Sequence, residues 1–153
     1  MVRVILCVLA LLGAATVAEA HHVRRHVAHV VHEVAQKYAY HNTSFFGGSI
    51  VSVMEGDLGT NPTGWAHDWC SHYLGMVLHR IGLPDSGSNT AISYAHYGHP
   101  AAPAPGVIAV MPHHVGVVTK VLGDKVELVS GNHSHKVGIG DYPIHRIIAF
   151  RAP

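Results

Sequence analysis

The chain arranges itself around Asp68-Trp69-Cys70-Ser71-His72-Tyr73-Leu74. Leu74, Val77, Leu78 and Ile81 follow at the i, i+3, i+4, i+7 spacing of one buried helical face. Gly82 and Pro84 then stop the helix. Asp68 is the expected N-cap, its carboxylate accepting an orphan N–H of the first turn. Cys70 would then stand inside that turn, where N–H groups converge and the helix dipole is positive. The expectation is a thiol with a lowered pKa, nucleophilic at neutral pH. The same N–H groups can hold an oxyanion.

Around this stretch lie 153 residues, enough for one domain with a modest core. Apolar residues make up 48% and charged ones 12%, which excludes wholesale disorder. Net charge is +1 and the basic run is limited to Arg24-Arg25, so nothing asks for a nucleic acid partner. Residues 1–20 have the layout of a secretory signal peptide: Arg3, an apolar run from Val4 to Leu12, and Ala18-Glu19-Ala20 as a small-x-small cleavage site. That apolar run is too short to span a bilayer comfortably. The expected product is a soluble monomer, exported to the periplasm or beyond the cell. Cys7 leaves with the signal, so Cys70 becomes the single cysteine of the mature chain. An unpaired thiol in an oxidising compartment is a liability unless it is buried or useful.

Residues 21–45 read as a His-rich helical arm or linker. Val23, Val27, Val30 and Val34 mark one face, and His22, His26 and His29 another. Imidazoles at i, i+4 can share a metal ion, but the stretch offers only Glu33 as a carboxylate to complete a site. No metal and no cofactor is therefore assigned. Residues 46–153 form the second region. Ile50 to Met54 reads as a short helix or strand, and Gly59-Thr60-Asn61-Pro62-Thr63-Gly64 as turns. Thr90 to Tyr97 reads as a second short helix, and Gly98 to Pro105 as a Pro/Ala loop without regular ladders. Strands are expected at Val107 to Met111, His114 to Val121, Lys125 to Ser130 and Ile147 to Phe150. Gly123-Asp124 marks a tight hairpin between the second and third of these. Helices first and an antiparallel meander after them make an α+β domain, with the helices on one side of a small sheet.

A catalytic thiol needs a base and a group that orients the base. A two-residue loop at Gly123-Asp124 sets His133 across from His114. One bulge changes that partner to Asn132. Register alone leaves the two open. A neutral amide suits the orienting role, because it fixes one imidazole tautomer without adding charge. His113 adjoins His114 as a rival base, and His67 and His72 flank Cys70. A zinc site built on those rings is disfavoured, since metal would silence the thiol and no C-x-x-C pattern is present.

Trp69-Cys70, His114-Val115-Gly116-Val117-Val118 and Ser130-Gly131-Asn132, in that order, resemble the CHAP family. These are cysteine, histidine-dependent amidohydrolases/peptidases, in the NlpC-type branch of the papain-like fold. The resemblance covers about residues 46–153. Gly59 to Gly64 and Gly87-Ser88-Asn89 look like a small-protein subgroup of it. One departure is Gly106-Val107, where the family usually has Gly-Asp. The resemblance implies Cys70 as nucleophile, His114 as base and Asn132 as orienting residue. It also implies hydrolysis of amide bonds in peptidoglycan. Two other readings remain: a wall-peptide-binding module without turnover, and a His-rich metal-binding exported protein.

Overall fold

A computed structural model describes residues 21–27, 29–30 and 50–153. The expected signal segment, residues 1–20, and much of the expected arm lie outside the described residues. The chain divides into two compact units, Met1–Tyr40 and His41–Pro153. In the first, residues 21–27 and 29–30 are helical and exposed. No helix among the described residues is long and apolar enough to cross a membrane.

The second unit is α+β. Residues 50–56 are helical. Helix α1, Cys70–Arg80, follows, and then a 3-10 turn over Ala91–His96. Six strands complete the fold: β1 His99–Pro100, β2 Ile108–Met111, β3 His114–Leu122, β4 Lys125–His133, β5 Lys136–Pro143 and β6 Ala149–Ala152. All pairings are antiparallel, in the order β1-β6-β2-β3-β4-β5.

Of the expected stripe, Leu74, Val77 and Leu78 are fully inside, as is Tyr73, while Ile81 stands at the C-cap and is partly buried. These side chains pack with Ile108, Val110, Val115, Val117 and Val129 on one sheet face. Each large apolar side chain so buried contributes on the order of 1.5–3 kcal/mol. Alternation along the strands sends Ala109, Met111, Val118, Val126 and Leu128 to the other face, under Ile144, Ile147 and Phe150. The helix ends as expected at Gly82, whose φ of 77° is one that L side chains rarely adopt. The Gly82 N–H donates to the His79 carbonyl at 3.1 Å and the Leu83 N–H to that of Leu78 at 2.9 Å, a Schellman closure.

Several expectations are corrected. Asp68 does not cap α1. The N-cap is Trp69, without a side-chain cap, and Asp68 sits one residue further out at a φ of 55°. A short Asp side chain tolerates that left-handed turn. Pro100 does enter a ladder, in the two-residue edge strand β1, where a missing N–H is tolerated. The last strand lies two residues later than expected, at Ala149–Ala152. Strand β5 was hidden by Gly138, Gly140 and Pro143, poor strand formers. Its glycines have a packing reason. A Cβ at Gly138 would stand 2.8 Å from His133 Cδ2, and one at Gly140 2.7 Å from His133 Cε1.

The tightest junction between helix and sheet is at Gly131 on β4. A Cβ there would meet Trp69 Cζ3 and Tyr73 Cδ1 at 2.8 Å each. Both rings are fully buried, so neither can swing clear. Gly131→Ala is therefore expected to cost about 1–3 kcal/mol of stability by overpacking. Urea unfolding checks this, as a lower midpoint at unchanged slope.

Candidate active site

The hairpin register sets the site. Leu122 pairs with Lys125 across the Gly123-Asp124 turn, but Val117 pairs with Val129, because the register shifts between Val118 and Lys120. The bulged Thr119 hydroxyl bonds to the Glu127 carbonyl at 3.1 Å and to its carboxylate at 2.7 Å. The ladder closes at Val117 and Val129, short of His114, so neither Asn132 nor His133 is its ladder partner, but the register fixes which way the flanking side chains turn. It turns His114, Gly116 and Ser130 toward the same face. A Cβ on Gly116 would lie 2.9 Å from that of Ser130.

His114 Nε2 lies 3.0 Å from Ser130 Oγ, so the hydroxyl bonded to the ring belongs to Ser130. Asn132 stands two residues on, at a φ of 56°. It lines the adjacent groove, and its Oδ1 is buried without a hydrogen-bond partner. Tyr142 of β5 stacks on the His114 ring, centroids 5.7 Å apart and planes 25° apart. The Tyr142 hydroxyl also lies 3.3 Å from His133 Nδ1. His113 is exposed in the turn between β2 and β3. Burial, and then the charge of His133, push the His114 imidazole down to about 4. The ring is neutral at pH 7.

Cys70 opens α1 and is 5% exposed. Val118 donates its N–H to the Val107 carbonyl at 2.8 Å, on the β2 side. Strand alternation therefore turns the Val117 and Val115 N–H groups toward β4. The β3–β4 ladder ends at Val117 and Val129. The Val115 N–H beyond it, with those of Ser71 and Cys70 itself, lies near enough to the Cys70 sulfur to favour its anion. These donors favour the thiolate, as expected of a helix start. Burial outweighs them and Asp68 adds repulsion, so the thiol is raised above its ordinary 9.0. The expected lowering is thus reversed: desolvation of the anion exceeds what three N–H groups return. Among the described residues no hydrogen bond joins the sulfur to an imidazole. The sulfur lies near enough to Tyr142 for its charge to raise the phenol.

The other flanking histidines are engaged elsewhere. His72 stacks under Trp65 at 4.4 Å and 11°, and His67 meets His135 edge-on at 5.6 Å. Among the described residues, no three His, Cys, Asp or Glu side chains are grouped to hold a metal ion. A groove of about 500 Å³ opens beside His114, walled by Met111, Pro112, His113, Asn132, His133, Ser134, Tyr142 and Arg146. Cys70 is not part of that wall. Sequence reasoning missed Ser130 and Tyr142. The signal for Ser130 was legible: Val126 and Leu128 lead to a polar residue on an apolar face. Tyr142 lay on the unrecognised β5.

No protein-family model matches the chain, and no curated protein matches it either.

Two outcomes follow from the electrostatics. The folded His114 binds its proton less readily than the unfolded one. Its contribution to stability is present above pH 6.5 and is lost as pH falls toward about 4. The full loss is on the order of 3 kcal/mol. Urea unfolding at pH 7 and at pH 4.5 is expected to show a smaller difference for His114→Gln than for the unsubstituted chain. Iodoacetamide is expected to label Cys70 more slowly than free cysteine at pH 7, with a rate still climbing above pH 9.

Proposed function

We propose that this chain is an exported cysteine amidohydrolase of the papain-like, CHAP type, acting on amide bonds of peptidoglycan. The observation that carries this reading is the His114 ring bonded to Ser130, with the N–H of the next residue, Val115, near the Cys70 sulfur at the start of α1. In this reading nucleophile, base and orienting hydroxyl act together where β4 parts from β3. The ordered resemblance at Trp69-Cys70, His114 to Val118 and Ser130 to Asn132 supplies the substrate class.

In this mechanism thiol and imidazole are both neutral at rest. Ser130 accepts the Nε2 proton, which leaves the Nδ1 lone pair as the base. As the sulfur attacks the scissile carbonyl carbon, Nδ1 takes the thiol proton. The N–H groups at the start of α1 stabilise the oxyanion. Collapse expels the amine, which takes that proton, and leaves a thioacyl-enzyme. Water then gives its proton to His114 and attacks the thioester. The acid departs and the thiol is restored. Asn132 closes the end of the site beside the base.

One observation favours a second reading, a wall-peptide-binding module without turnover. The thiol is held neutral and does not line the groove. Digestion of purified peptidoglycan, read as newly released amine groups, separates the two. Under the hydrolase reading Cys70→Ala and His114→Ala lower the rate to background, and Ser130→Ala lowers it roughly 10–100-fold. The rate also declines below about pH 4 as His114 takes up a proton. Amine release that survives Cys70→Ala rejects the thiol as nucleophile. Pelleting of the chain with the wall, with no amine released at any pH, establishes the binding module instead.

A further inference from the structure

The charge in the groove is one-sided. Its wall carries Arg146 together with His113, His114 and His133, and no Asp or Glu. Away from the groove, Arg80 pairs with Asp57 and Lys120 with Glu127. Arg146 makes no ion pair and no hydrogen bond among the described residues. It is exposed just after β5, and its positive charge reaches the Tyr142 phenol. Tyr142 in turn stacks on His114. A guanidinium without a partner among the described residues, on a groove wall it shares with His114, presents a planar pair of donors to an incoming oxyanion.

We infer that Arg146 is a specificity residue that binds a carboxylate of the substrate, so that the groove takes acidic peptides in preference to neutral ones. This inference rests on the peptide-hydrolase reading for its ligand class, but the recognition step requires no turnover. The planar fork of an arginine matches a carboxylate bidentately, which a point charge does not. His113 and His133 on the same wall add hydrogen-bond donors. The carboxylate has two sources in a peptide: the chain end or an acidic side chain.

Binding to the full chain carrying Cys70→Ala tests this, by titration followed by NMR at low salt. Three probes are compared: N-acetyl-Ala-Ala as the free acid, the same dipeptide as its C-terminal amide, and N-acetyl-Ala-Glu as its C-terminal amide. At least one of the two acids is expected to bind on the order of tenfold more tightly than the neutral dipeptide. The tighter acid identifies the source. Arg146→Gln is expected to abolish the preference, and 0.5 M salt to reduce it. Equal binding of all three probes overturns the inference. So does a preference that survives Arg146→Gln, or no saturable binding of any probe. Failure of the wall-digestion assay removes the hydrolase reading and leaves this comparison intact.

Discussion

Everything in the site depends on how closely α1 can approach β4. That distance is set by Gly131, whose missing side chain admits the Trp69 and Tyr73 rings to the strand backbone. The two rings meet edge to face, 6.0 Å between centroids, and both are fully buried. Trp69 is the N-cap of α1 and Cys70 its first residue, so the seating of one ring fixes the place of the sulfur. Tyr73 is tethered a second time, its hydroxyl donating to Asp57 at 3.0 Å. Arg80 holds the same carboxylate from the far end of the helix. The loop that carries Asp57 is in turn stitched to β5 by Gly59 and Thr60, on either side of Val137. A helix start, a central strand and an edge strand are thereby locked to one another.

The electrostatic character of the site follows from that burial. A helix N-terminus favours a thiolate, but its effect falls off within the first turn and competes with desolvation. Here desolvation wins at Cys70, and it also wins at His114. Both the thiol and the imidazole are held neutral as a consequence. Tyr142 extends the arrangement. It covers one face of His114 and meets His133, which lies across two glycines of β5.

The limits of sequence reading can be located residue by residue. The helix stripe from Leu74 to Ile81, the strands β2, β3 and β4 and the Gly123-Asp124 turn were legible, because local periodicity and turn chemistry specify them. Strand β5 was not, because its glycines answer to the His133 ring, a contact made in three dimensions. The cap of α1 was misassigned for a similar reason: Asp68 has the right chemistry one position too early. The choice between Asn132 and His133 opposite His114 stayed open in the sequence. The strands part before His114 is reached, and the Thr119 bulge that shifts their register leaves no dependable mark in composition.

The order of residues by itself determined the helix that begins at Cys70, the strands β2, β3 and β4 with their hairpin, and the candidates Cys70 and His114, with Asn132 and His133 left open beside the latter. Each of these is a matter of local pattern. Tertiary structure alone decided that Ser130 is the hydroxyl on the His114 ring, that Tyr142 covers it, and that the thiol is raised rather than lowered. Those outcomes depend on strand register and on the exclusion of water, which arise only when distant segments close around the same few atoms.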